Sequence, residues 1–526
     1  MPDSGTHFDV AIVGGGLAGL TLALQLEQES PELAIIVLER DRLPPPIAAH
    51  KVGESTVEIG AHYLSHTLGL TSLLERTQLR KFGLRFFFGS GQHEDLANAD
   101  ELGASNFLPT VTYQLDRGRL EGDLAEILSE RGVIVKDSCN VKHATVSANG
   151  TGHELHVVRQ ERSETIRCRW IVDAAARSRF LKRLLDIGKP SRHRTCAAWF
   201  RLDLPIEVDD WSDCGAWKER CNRVPRKLST NHLMGPGYWA WLIPLAGDRT
   251  SVGLVADPDI HPLSSFNSLD KFLKWASTFQ PQFANRVAEA KDTLMDFKYL
   301  KNLSQDCRQV WSKDRWALTG ESGVFADPFY SPGTDFIAIG NTFICDLIRR
   351  ERLQSKIDIH VVVYQRMYQS FFESTMSLFE KQYAGFGDTR LMVIKSTWDY
   401  AYYWSVLAWL FFRELMTDIA FVKSVQPDLA RAQALNATVQ SEFRKRASEN
   451  RSDCGKSRFF DQLAIPVLAN LSAALTQPGS NPELELGENC RRLESLAPLL
   501  LSLLAESETG DMHDCSLLGD LRKRLS

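Results

Sequence analysis

Gly14-Gly15-Gly16-Leu17-Ala18-Gly19 sets three glycines at the spacing GxGxxG near the start of the chain. The first glycine permits a tight turn, the second lets backbone approach a pyrophosphate, and the third lets helix and strand pack closely. A helix opening here turns its N-terminal N–H groups and partial positive charge toward phosphate. Leu17 and Ala18 lie in that turn and join Gly14, Gly16 and Gly19 as candidate contacts. Glu39 ends the next apolar run, 20 residues after Gly19. A carboxylate there can accept from a ribose diol. Arg40 follows it and belongs to the same contact set. An acidic residue disfavours a 2′-phosphate, which leaves FAD or NAD as the dinucleotide.

The elements that must position these residues are legible around them. Phe8 to Val13 is a Val/Ile-rich run, Leu17 to Glu27 repeats at helical spacing, and Ala34 to Leu38 is a second apolar run. Strand, glycine turn, helix and strand make a βαβ unit. Residues 60–80 and 117–131 read as helical, 84–88 as a strand, and 153–172 as antiparallel strands. Strand-like pieces follow at 197–202, 239–245 and 251–255, and an apolar strand near 316 again ends in glycines. From about 345 onward the pattern is mostly helical. Leu493, Leu496, Leu500, Leu503 and Leu504 form an amphipathic stripe that Pro498 is expected to kink or interrupt.

The predicted fold is α/β. A Rossmann-like dinucleotide-binding domain is built from 1–185 and 305–350. A mixed β-sheet substrate region, 186–304, is inserted, and a mostly helical region, 351–526, follows. The chain has 526 residues, 44% hydrophobic and 24% charged, with a formal net charge of −5. That composition excludes disordered, collagen-like and coiled-coil chains, and it provides no global basic field for nucleic acid. The start has no charged n-region followed by an apolar h-region, and the apolar stretch 400–412 is too short to span a bilayer. Ten scattered cysteines form no zinc-like cluster, so no metal is expected and reduced thiols point to a cytoplasmic protein.

Three more segments carry cofactor chemistry. They are Tyr113-Gln114-Leu115-Asp116-Arg117-Gly118-Arg119-Leu120, Val172-Asp173-Ala174-Ala175-Ala176-Arg177, and Ala317-Leu318-Thr319-Gly320-Glu321-Ser322-Gly323. With the GxGxxG unit, they resemble the flavoprotein monooxygenase superfamily, which implies FAD. By that resemblance Arg117 is the FAD-side arginine, and Glu321 stands where the family usually has Asp. The 172–177 segment resembles the intermediate DG-type motif but lacks its glycine.

Trp239-Ala240-Trp241-Leu242-Ile243-Pro244 and Phe325-Ala326-Asp327-Pro328-Phe329-Tyr330-Ser331-Pro332-Gly333 narrow the resemblance to flavin-dependent halogenases. They match the family signatures WxWxIP and FxxPxxSxG. Lys51-Val52-Gly53-Glu54-Ser55-Thr56 resembles the segment after the FAD-binding βαβ unit, which places Ser55 at the cofactor. Lys81-Phe82-Gly83, before an aromatic strand, resembles the segment bearing the family's essential lysine. The resemblance implies that reduced FAD, O2 and chloride or bromide generate hypohalous acid, and that Lys81 presents it to an arene. Trp239, Trp241, Ile243 and Pro244 would form the barrier between flavin and substrate. Gly333 would lie at the flavin, and the N–H groups of Gly333 and Thr334 would hold the halide.

Tryptophan halogenases carry a glutamate just before this turn, whereas this chain has Phe329-Tyr330-Ser331. That points to a phenol or pyrrole, free or tethered to a carrier protein. No second GxGxxG serves a nicotinamide, so the resemblance implies a separate flavin reductase. The competing readings are an aromatic hydroxylase of the same fold, a flavin-dependent reductase, and a catalytically silent FAD-binding subunit.

Overall fold

Runs rich in Val and Ile that are buried on both faces build parallel sheets, because crossover helices cover each side. His7–Val13 and Ile35–Leu38 are such runs. The structure, a computed structural model, describes residues 7–47, 51–89, 94–148, 152–449, 457–477, 479, 481–505, 517, 519, 521 and 523. By internal packing the chain forms two units. The first comprises Met1–Thr77, Leu115–Ser191 and Ser304–Phe372, and the second Gln78–Gln114, Arg192–Leu303 and Glu373–Ser526.

The sheet of the first unit runs Trp311–Ser312, Trp316–Leu318, Arg162–Asp173, His7–Val13, Ile35–Leu38, Ile134–Lys136. All neighbours are parallel except the edge pair Trp311–Ser312 with Trp316–Leu318. Cys139–Thr145 and His153–Arg159 extend the Arg162–Asp173 strand as an antiparallel meander. The Leu17–Glu29 helix makes the first crossover, and its near-continuous burial from Leu17 to Leu26 fits a helix covered on most sides.

The sheet of the second unit runs Leu294–Leu300, Cys196–Leu202, Arg249–Ala256, Tyr238–Leu245, Thr230–Gly235, Leu84–Phe88, Asp100–Gly103, Phe459–Asp461. It is mixed: Thr230–Gly235 pairs parallel with Leu84–Phe88, and Phe459–Asp461 parallel with Asp100–Gly103. Segment 78–114, read from the sequence within the dinucleotide domain, therefore packs in this sheet. Its aromatic strand finds its hydrogen-bonding partner in Thr230–Gly235. One face of the sheet forms a core with the Leu269–Phe279 and Pro281–Glu289 helices, around Phe200, Tyr238, Leu254, Phe272 and Trp275.

Pro498 does not interrupt its helix. Pro482–Ala505 is continuous through it, with Leu493, Leu496, Leu500, Leu503 and Leu504 buried. Proline inside a helix costs about 3 kcal/mol, and burying several leucine side chains on one stripe outweighs that. A fully buried ion pair, Lys395 Nζ to Asp399 Oδ2 at 2.9 Å, lies within the helices of this unit. Gln440 joins it, accepting from Lys395 at 3.1 Å and donating to Asp399 at 2.7 Å. Among the described residues no helix is long and apolar enough to cross a membrane.

Candidate functional site

The glycine turn is tight enough to exclude side chains. Gly14 has φ +116°, and a Cβ there would lie 2.5 Å from the Ala174 carbonyl oxygen. A Cβ on Gly19 would collide with the Gly14 carbonyl. Gly15 N–H donates to Glu39 Oε2 at 2.6 Å, and Asp41 N–H donates to Glu39 Oε1 at 2.8 Å. Glu39 is thereby fixed at the end of the Ile35–Leu38 strand, beside the turn. Arg40 is exposed and pairs with Asp41 at 3.3 Å.

Arg117 is the first residue of the Arg117–Glu130 helix, capped by the Asp116 carboxylate accepting from Arg119 N–H at 3.1 Å. Its Nη1 donates to the carbonyls of Val52 and Gly53 at 3.2 and 3.3 Å, which ties the helix to the Ser55 segment. Ser55 is buried, and Leu115 N–H donates to the Glu54 carbonyl at 2.6 Å. The glycine turn, the helix N-terminus, Glu39 and Arg117 thus gather in one unit, and their chemistry fits a dinucleotide.

Asp173 ends its strand buried, accepting from the N–H groups of Ala175 and Leu181 at 2.9 and 2.8 Å and from Ser322 Oγ at 3.0 Å. Burial raises its carboxyl above the usual range despite these donors. Glu321 lies in a single 3-10 turn, Gly320–Ser322, and pairs with Arg177. Beyond it, Tyr330 and Ser331 carry consecutive positive φ angles, +65° and +60°. Two adjacent non-glycine residues in this region cost about 1–2 kcal/mol each, strain that clusters at functional turns. The turn delivers Gly333, the first residue of the Gly333–Arg352 helix. Thr334 packs its methyl carbon where a Cβ on Gly60 would stand, and Asp335 accepts from Gly60 N–H at 2.8 Å. The cap position is Pro332, so Thr334 lies inside the first turn.

In the second unit Lys81 is buried at 3% exposure between two strands. Its N–H donates to the Thr112 carbonyl at 2.8 Å, and the N–H of Phe82 to Leu228 at 2.9 Å. The Tyr238–Leu245 strand sorts its residues by face. Tyr238, Ala240 and Leu242 enter the apolar core, whereas Trp239, Trp241 and Ile243 alternate away from it. Pro244 continues the same strand. On that opposite face Trp239 donates from Nε1 to the Tyr383 hydroxyl at 3.0 Å, and its ring lies 5.2 Å from His232. His232 stacks on Phe86 at 4.7 Å and engages the Arg85 carbonyl through Nδ1 at 3.1 Å. Burial, aided by the nearby Lys81 charge, pulls His232 down to about 3, so its imidazole is neutral at working pH.

A buried charge network gathers at Glu101, which pairs across the sheet with Phe87 of the apolar core. Glu101 accepts from Arg226 Nε at 2.9 Å and from Arg220 Nη1 at 3.2 Å, and it also pairs with Arg85. Burial alone would raise the Glu101 carboxyl. The charges of Arg85 and Arg226 outweigh burial and hold it below the usual range. The Arg226 guanidinium lies 3.8 Å over the Trp217 ring. Sequence reasoning missed this network, His232, Glu121 and Tyr383. A lone histidine or an i,i+4 Arg–Glu pair looks the same on any solvated surface.

Residues 7–202 match a family model described as an FAD binding domain. A flavin-dependent halogenase, chlA of Dictyostelium discoideum, is 26% identical over 439 residues, covering 76% of this chain and 70% of that one. A chlorinase of 1H-pyrrole-2-carbonyl peptidyl-carrier protein from Pseudomonas fluorescens is 23% identical, covering 62% of this chain and 72% of its own. A crystal structure of the halogenase PltM with phloroglucinol and FAD shares the fold with a TM-score of 0.70. The identity is 15%, and the match covers 95% of this chain and 99% of that one. The fold and site define an FAD-dependent flavoprotein of the oxidoreductase type. Its curated relatives are flavin-dependent halogenases, and FAD is its cofactor.

Proposed function

We propose that this enzyme halogenates an electron-rich arene of the phenol or pyrrole type, using Lys81 to present hypohalous acid. When bound and reduced, FAD supplies with O2 the oxidant that converts chloride or bromide to hypohalous acid. The observation that carries the reading is the placement of Lys81. A buried lysine stands within electrostatic reach of a neutral imidazole, and that imidazole packs on Trp239 of the WxWxIP strand.

Each group has a physical task. The Lys81 ammonium donates a hydrogen bond to the hypohalous oxygen and makes the halogen more electrophilic, or its amine takes the halogen with loss of water. Low surrounding polarity strengthens either contact. Trp239, Trp241, Ile243 and Pro244 provide bulk that keeps an arene from the flavin. The strained turn before Gly333 aims the Gly333 and Thr334 N–H groups at a halide, and Ser55, Arg117, Glu39 and Glu321 hold FAD. Reduced FAD comes from a separate flavin reductase. The substrate is free or carrier-bound, as in the pyrrole-carrier relatives.

The test is mass spectrometry of phenols and pyrroles, free and carrier-bound, incubated with protein, FAD, NADH, a flavin reductase and bromide or chloride. A halogen isotope pattern that falls at least 100-fold in Lys81→Ala, while flavin oxidation continues, supports the reading. Hydroxylated product without halide dependence overturns it in favour of a hydroxylase. Undiminished halogenation by Lys81→Ala overturns the lysine's role alone.

A further inference from the structure

Trp239 is buried on the face of its strand opposite the apolar core. Bulk alone does not choose its orientation there, because an indole turned over about χ2 fills much the same space. The indole carries a single N–H donor, and the direction of that donor separates the two orientations. Here it donates to the Tyr383 hydroxyl at 3.0 Å.

Tyr383 grips this strand at two points. Its carbonyl accepts from Gly237 N–H at 2.8 Å, just before the strand begins, and its hydroxyl accepts from the Trp239 indole. Its own ring is stacked on Phe386 at 4.5 Å and lies 5.5 Å from His193. Phenylalanine would supply the same ring. The hydroxyl is a polar atom carried into a buried place, which costs free energy unless it meets a partner, and the indole N–H meets it.

The Tyr383–Gly387 turn is itself anchored at both ends. Before it, Gln382 Nε2 donates to Gln440 Oε1 at 3.0 Å, the oxygen that also accepts from Lys395 of the buried ion pair. After it, the Asp388 carboxylate accepts from Leu391 N–H at 3.0 Å and from Arg446 Nε at 2.9 Å. A buried ion pair is weak evidence for stability, and specifying a single arrangement is its best-attested use. The arrangement specified here includes the place of one hydroxyl.

We propose that Tyr383 is a positioning residue for halogenation, its hydroxyl holding the Trp239 indole in the one orientation that closes the barrier between arene and flavin. This rests on the proposed function and gives the helical region a task within it. Tyr383 acts through Trp239.

The test compares wild type, Tyr383→Phe, Trp239→Phe and the double variant as the full chain with FAD, NADH, a flavin reductase and bromide, on phenol and on pyrrole. The readout is brominated arene per reduced flavin consumed, with hydroxylated arene measured in the same samples. Tyr383→Phe should lower the brominated yield by about threefold to tenfold, the effect of one hydrogen bond, and should raise hydroxylated arene. The double variant should fall no further than Trp239→Phe, since the two side chains act as one unit. A second readout needs no turnover. In protein labelled with fluorotryptophan, the fluorine resonance missing from Trp239→Phe should shift or broaden in Tyr383→Phe while the others hold. Wild-type yield in Tyr383→Phe, losses that multiply in the double variant, or an unmoved Trp239 resonance each overturns the role of Tyr383 and leaves the halogenase reading standing. Wild type that consumes reduced flavin and brominates neither arene overturns that reading, and this proposal with it.

Discussion

Arg177 donates from Nε to Glu321 Oε2 at 3.0 Å, joining the two segments that depart from the family's flavin motifs. One segment lacks the expected glycine and the other carries Glu in place of Asp. Ser322 ties them a second time, through Asp173. The Arg177 guanidinium also lies 5.8 Å over the Phe325 ring, at the start of the turn leading to Gly333. Both partners are about a quarter exposed, so the ion pair contributes at most about 1 kcal/mol to stability. Its value is positional: it fixes a carboxylate whose extra methylene would otherwise let it swing.

This pairing predicts a non-additive double mutant. Arg177→Gln and Glu321→Asp should each weaken FAD binding, by roughly threefold to tenfold. The double variant should bind no more weakly than the worse single one. Multiplying losses, read by FAD titration, would show that the two side chains act independently.

Ala176 holds φ at +47°, within the 172–177 segment that lacks the glycine of the motif it resembles. A Cβ in this conformation costs about 1–2 kcal/mol, partly offset by the chain entropy that glycine loses on folding. Ala176→Gly should therefore stabilise the protein by about 0.5–1 kcal/mol. Urea unfolding measures it, and a fall in the midpoint would refute the assignment of strain.

Gly253 lies directly across from Trp241, and a Cβ there would overlap the indole. Gly253→Ala should push the ring off its position and break the Trp241 Nε1 bond to Ser251 Oγ, now 3.2 Å. The expected cost is about 1–3 kcal/mol. A shift in near-ultraviolet circular dichroism should accompany it. An unchanged spectrum would mean that the ring packs elsewhere.

His232 gives a pH dependence with a definite sign. Its folded value, about 3, lies below the usual histidine value near 6.5. The unfolded chain therefore binds a proton that the folded chain refuses. Stability from this group is intact above 6.5 and is lost as pH falls toward 3, by up to about 1.4 kcal/mol per unit. His62, pulled down to about 4 chiefly by burial, adds to the same trend. Unfolding free energies at pH 7, 6 and 5 should show a shallower fall in His232→Gln. Parallel curves would place the acid sensitivity elsewhere.

Local chemistry was the legible part of this chain. The GxGxxG turn and Glu39 at its strand end lie within one short span, and their spacing implied the geometry, whereas Arg117, whose carbonyl partners Val52 and Gly53 lie some 65 residues away, was reached only through the resemblance of its segment. Pairings between distant segments left weaker traces. The Leu84–Phe88 strand is aromatic enough to read as a strand, yet nothing in it names Thr230–Gly235 as its neighbour. Phe459–Asp461 is three residues inside a helical region, too short for periodicity to register. Pro498 brings no interruption, because a local rule met a buried leucine stripe. Lys81 was singled out as a candidate by its sequence neighbours, whereas His232, on a strand paired with Leu84–Phe88, carried no signal of its own.

The first unit is encoded in three separated pieces, and Trp316–Leu318 is the partner strand of Arg162–Asp173. A ribosome adding about 5–20 residues per second needs roughly 7–30 s between finishing the earlier strand and finishing the later one. Throughout that interval the nascent sheet presents an open edge of unpaired N–H and C=O groups. Glu321, proposed to hold FAD, emerges later still, when 321 of the 526 residues have been made, so the cofactor is loaded only after that point. Recombinant yield should accordingly respond to chaperone supply and to codon choice across residues 174–315 more than to flavin added during growth.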